Sequence, residues 1–264
     1  MNAVSTRRTP SAALNPAPAF RWWRHALFAL VALAGPTLLF LHPPFGQDPA
    51  YHRFADRRVW GEIPNLFDVA SNLPFLFVGV AGLLFFRRHD VGSQRRAWLT
   101  FFAGVSLVAF GSSFYHLAPA DNTLVWDRLP MVVAFMALFS ALLGETFSER
   151  LGRAVLLPAL LLGAGSVCWW RLFDDLRPYF AVQLLCLLGV TSLLVLFPRA
   201  DARRGYLLAG LACYAFAVAA EQLDRPIFAG THQLISGHTL KHLLAAAGCA
   251  AVLSMLRARP GARN

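Results

Sequence analysis

Five side chains suited to metal and proton chemistry recur at short intervals in an otherwise apolar chain of 264 residues. Ser112 and His116 are four residues apart, as are His238 and His242, and Asp127 follows His116 by eleven. A spacing of four puts both members on one helical face a turn apart, as two imidazoles sharing an ion must be. With a turn near residue 120 and a rise of about 1.5 Å per residue, Asp127 returns to the depth of His116 within about two turns. Three neutral histidines with a fourth position open to water describe a catalytic zinc centre, and a neighbouring carboxylate adds a proton acceptor. Singly, each residue has a plainer role. A lone histidine in an apolar helix packs and hydrogen-bonds, and H-x-x-x-H alone is a weak pattern. Ser112 could bond a carbonyl one turn back, and Asp127 could pair with Arg128 or cap a helix. The ordered combination is what points to a metal.

The elements that must position these residues follow from composition. Of the residues 57% are hydrophobic and 14% charged, against about half and about a quarter in a soluble domain. Eight apolar runs, 25–42, 66–86, 97–117, 124–144, 154–171, 179–197, 205–220 and 236–256, reach or approach the ~20 residues that cross a bilayer. The expectation is an all-α polytopic membrane protein: a disordered cytoplasmic tail 1–24, an extra N-terminal transmembrane helix 25–42, an outer loop 43–65, a seven-helix core 66–256 and a cytoplasmic tail 257–264. Short connections make successive helices antiparallel neighbours, and the longer 43–65 connection has the length of a functional loop. Ionisable groups inside spans are costly, which makes each a functional candidate. The chain has no internal repeat of the kind that builds transporters.

The net charge of +10 is a topology signal. Arginines sit at the ends of apolar runs, without the aromatic-interleaved basic strip of a nucleic-acid groove. Of 24 basic residues, 16 fall in alternate connections and the tails, which by the positive-inside rule places both termini in the cytoplasm and the histidines toward the outer face. A plasma or bacterial inner membrane is the expected location. Leu41-His42-Pro43-Pro44 has no small-x-small cleavage site, so the first run is expected to be retained. Cys168, Cys186, Cys213 and Cys249 lie in separate runs and are expected to be packing residues.

The segments Gly111-Ser112-Ser113-Phe114-Tyr115-His116, Trp126-Asp127-Arg128-Leu129-Pro130-Met131 and Gly237-His238-Thr239-Leu240-Lys241-His242, with Ser71-Asn72, resemble the signature of the alkaline ceramidases, part of a superfamily that includes the adiponectin receptors. The resemblance covers about residues 56–256. It implies a seven-helix core with Zn2+ on His116, His238 and His242, hydrolysing the amide of ceramide, or a related N-acyl membrane lipid, to a fatty acid and a sphingoid base. Asp127 would be general base and acid, and Ser112 would polarise the carbonyl or hold the zinc-bound water. Ser71 and Asn72 would support the site. Glu221, Asp224 and Lys241 form either a stiffening ion-pair cluster or a headgroup-recognition set. Some family members bind calcium through acidic residues near the first core helix; Asp56, Glu62 and Asp68 are present here, but Asn65 stands where the family has a glutamate. The competing expectations are a seven-helix receptor or lipid-binding protein with structural zinc, a haem protein, and a serine intramembrane protease. Nothing in the pattern points to a protein partner.

Overall fold

The computed structural model describes residues 21–89, 93–198 and 203–259. Ten α-helices run through them: α1 Trp22–Leu38, α2 Leu66–Ala70, α3 Leu73–Arg88, α4 Arg95–Leu117, α5 Asp121–Thr146, α6 Glu149–Phe173, α7 Arg177–Leu196, α8 Arg203–Gln222, α9 Asp224–Gly230 and α10 Gly237–Arg257. Short 3₁₀ turns, Leu39–Leu41 and Pro49–His52, lie between α1 and α2. Seven helices or helix combinations are long and apolar enough to cross a membrane, and the bent α8–α9 pair would make an eighth. Large apolar side chains face outward, among them Phe110 at 62%, Leu161 at 64% and Phe216 at 66% exposed. The histidines, Asp127 and Arg128 are buried instead. Such an apolar exterior around buried ionisable groups is stable in lipid and not in water, and the chain is an all-α polytopic membrane protein.

Helices α3, α4, α5, α7, α8 and α10 close a ring in which each packs on the next and α10 returns to α3; α6 lies against α5 and α7, and α1 against α7. Glycines set the closest approaches. A Cβ on Gly111 would collide with the Trp126 carbonyl, and one on Gly104 would press on the backbone of Pro130 and Ala134, so α4 and α5 meet backbone to backbone. The chain ends described here lie together at the end of the ring away from the histidines, where Arg259 Nη2 donates to Glu145 at 2.7 Å and Trp98 Nε1 donates to the same carboxylate at 2.8 Å.

Three departures from the sequence expectations have local causes. Helix α1 begins at Trp22, inside the segment expected to be tail, because Trp22 and Trp23 suit an interfacial helix end without extending the apolar run. The rest of that tail, residues 1–20, and the stretch 260–264 lie outside the described residues. The second span is interrupted at Ser71-Asn72, since Pro74 has no N–H to give the Ala70 carbonyl; Ser71 Oγ and Asn72 Nδ2 turn back to the Asp68 carbonyl at 3.0 and 2.8 Å. The run 205–220 continues past a break at Leu223 into α9 at 83°, where Pro226 cannot extend the α8 hydrogen-bond ladder.

Candidate metal centre

The breaks and caps place the ligands. Ser236 is the N-cap of α10, its hydroxyl accepting from Thr239 N at 2.9 Å, which starts the helix one turn before His242. Gly237 lies against the Ala220 carbonyl and the Asp224 backbone, where a side chain would not fit. His238 thereby enters the ring beside the α8–α9 break, and Asp224 Oδ1 accepts from its backbone N–H at 2.8 Å. The other oxygen, Asp224 Oδ2, accepts from Ala55 N at 2.8 Å in the connection between α1 and α2.

His116, His238 and His242 are all buried, with one ring nitrogen of each within 4.8 Å of the others. Among the described residues no other group of three or more His, Cys, Asp or Glu is placed to hold an ion. His116 Nε2 and His238 Nε2 stand 3.3 Å apart. Two nitrogens bound tetrahedrally to one zinc at about 2.0–2.1 Å are separated by about 3.3–3.4 Å, so the pair already has the spacing of two ligands. A porphyrin could not pass between them, which removes the haem expectation.

The tautomer of His242 follows from its neighbours. Its Nδ1 is 2.8 Å from Ser71 Oγ. Ser71 Oγ also lies 3.0 Å from the Asp68 carbonyl; with its proton there, the hydroxyl accepts at the imidazole, the tautomer with hydrogen on Nδ1 and a bare Nε2 toward the centre. His116 Nδ1 is buried without a partner, and His238 Nδ1 lies 4.0 Å from Glu221 Oε1. The donor set, three buried imidazoles converging on one point, fits zinc.

Ser112 and Asp127 are both buried, brought together by the close approach of Gly111 to the backbone of Trp126 and Asp127. Lys241 Nζ pairs with Glu221 Oε1 at 2.7 Å, and Tyr51 OH donates to the same oxygen at 3.1 Å. Burial, and then the Glu221 charge, hold the Tyr51 phenol well above its ordinary pKa, so it remains a donor. The ion-pair role expected for Glu221 and Lys241 is thus present in the geometry, while Asp224 serves as a backbone clamp. Phe54 closes the pocket with its ring 4.7 Å from both His116 and His238. His52 anchors the same connection through Tyr115 OH at 2.9 Å and Asp121 Oδ1 at 3.1 Å.

The residues considered for calcium do not form one ligand set. Asp56 is held by Arg58, whose Nε and Nη2 donate at 2.8 and 2.5 Å. Burial raises the Asp56 pKa, but those bonds outweigh it and hold the carboxyl below the usual range. Asp68 Oδ1 instead accepts from Thr239 Oγ1 at 2.6 Å, steadying α10, and Glu62 belongs to no group placed to hold an ion.

Tyr51, Phe54 and His52 were not among the site residues expected from sequence. They lie in a connection without helical period, and the one available signal was its unusual length. In comparisons with known proteins, no family model matches the chain and no curated protein does.

Proposed function

We propose that the protein is a zinc-dependent intramembrane amidase of the alkaline ceramidase type, cleaving ceramide or a related N-acyl lipid to a fatty acid and an amine. The observation that supports it most is the convergence of three buried imidazoles beside a buried Asp127–Ser112 pair inside a lipid-bounded ring. His116, His238 and His242 would hold the ion. Bound there, zinc supplies a Lewis acid for the carbonyl and lowers the pKa of water to about 7.

The chain's own groups complete the reaction. Asp127 accepts the proton of the attacking water as its oxygen bonds to the acyl carbon, then returns that proton to the nitrogen as the C–N bond breaks. Ser112 gives its one hydrogen bond to the oxygen that gains charge. Phe54 and the connection it belongs to exclude bulk water. The arginine distribution supports an outer-facing site in a plasma or bacterial inner membrane with both termini cytoplasmic.

The test is the purified protein with mass-spectrometric detection of fatty acid released from N-acyl lipids. Asp127→Asn should retain zinc and fold and lose activity by about a thousandfold. Ser112→Ala should lose about a hundredfold, the effect of one oxyanion donor worth ~3 kcal/mol. Should the wild type release no fatty acid, and Asp127→Asn alter stability alone, a receptor or lipid-binding protein with structural zinc replaces the amidase.

A further inference from the structure

Directly after Asp127, the second turn of α5 carries a cation that the proposed reaction does not use. Successive helical residues point about 100° apart, so Arg128 leaves α5 away from the metal, toward α6 and α7. It is 5% exposed. Its guanidinium carbon lies 4.2 Å from the Trp170 ring centre and 4.6 Å from that of Tyr179. Nη2 donates to Gln47 Oε1 at 2.5 Å, whereas Nη1 is buried without any hydrogen-bond partner. Asp127 and Glu221 act on this cation through charge, but neither gives Nη1 a hydrogen bond, and Glu221 is already held by Lys241 and Tyr51. Aromatic faces ease the burial of a cation but leave its in-plane donors unanswered, and a buried donor without an acceptor is costly. The planar edge of a guanidinium matches an anion with two or more oxygens.

We propose that the Nη1 edge of Arg128 is a subsite for an anionic oxygen group, a carboxylate or sulfonate, on the amine half of the N-acyl substrate. The inference rests on the amidase reading. Asp127 returns its proton to the leaving nitrogen, so the amine half lies on the Asp127 side of the scissile bond, next to Arg128. Gln47 and Tyr51, from the connection between α1 and α2, place the subsite at the polar end of the ring, where a headgroup belongs and an acyl tail does not. A neutral headgroup leaves Nη1 unpaired. Among the N-acyl lipids of the proposed function, the favoured substrates are therefore those whose amine half is acidic, such as N-acyl amino acids, rather than ceramide, whose amine half carries no anion.

Binding is measured in the full-length His238→Ala protein, which does not turn over, using N-palmitoylglycine, N-palmitoyltaurine, neutral N-palmitoylethanolamine and free palmitate. At least one of the two acidic amides should bind about tenfold more tightly than the neutral one, and Arg128→Gln in the same background should reduce that ratio to near one. Arg128→Lys, which keeps the charge without the planar fork, should lose most of the preference and serves if the glutamine variant does not fold. Equal binding of acidic and neutral amides, or a preference that survives both substitutions, overturns the assignment. Free palmitate binding as tightly as the acidic amides also overturns it, by putting the anion on the acyl half. A wild type without amidase activity sinks the hydrolase reading, while these binding ratios still decide the subsite.

Discussion

With its one proton on the Asp68 carbonyl, 3.0 Å away, the Ser71 hydroxyl sets the tautomer of His242. Ser71→Ala removes that acceptor without touching a ligand. Zinc should still bind one ion per chain, with affinity lowered about tenfold to a hundredfold, read by competition with a chromophoric chelator. The paired substitution His238→Ala with His242→Ala should abolish zinc in elemental analysis; full retention would move the metal elsewhere. At this scale the histidine cluster was legible because its chemistry is written into type and spacing: His238 and His242 are both buried on α10, a turn apart. Phe54 and Tyr51 were not legible. An aromatic residue in an irregular connection has no periodicity to say which way it points, and only tertiary contact reveals that Phe54 covers two histidines.

Helices α4 and α5 approach so closely at Gly111 that any side chain there meets the Trp126 carbonyl. Gly111→Ala should cost about 1–3 kcal/mol of stability through overpacking and reduce activity by displacing Asp127. Gly165→Ala, in open space on α6, should be neutral or gain up to about 1 kcal/mol of helix propensity; equal melting temperatures for the two variants would refute the seam. The connection ahead of α2 has its own acid limit. The Asp56 pKa is depressed in the folded state by Arg58, so its contribution is present above the unfolded carboxyl value and lost as pH falls through the folded one. Proteolysis within 43–65 should therefore accelerate only below about pH 4. Apolar runs made the existence of the spans readable, and Pro74 and Pro226 were visible as breakers. What the breaks accomplish was not, since back-bonding from Ser71 and the 83° turn into α9 depend on the neighbours that receive them.

Across the whole molecule the ring sorts its charges by end. The histidine end carries Asp121, Glu221 and Lys241, and the opposite end is fastened by Arg259 on Glu145. Arg259→Ala should lower the melting temperature measurably, because it removes two charge-assisted hydrogen bonds to a largely buried carboxylate; an unchanged temperature would make the contact incidental. For orientation, a cysteine placed in the 118–123 turn, after replacement of the four native cysteines, should react with an impermeant thiol reagent in intact cells. Labelling only after lysis would reverse the topology.

Asp224 holds two things at once, the backbone of His238 and the backbone of Ala55. Whatever lifts the 43–65 segment must break a bond to the same carboxylate that steadies His238, so on the proposed zinc site access and metal retention are linked variables. Linkage is reciprocal: zinc should protect the segment from protease to the degree that a closed segment slows zinc loss. Asp224→Asn should weaken both effects together, and a variant that altered one while sparing the other would show that the lid and the ion move independently.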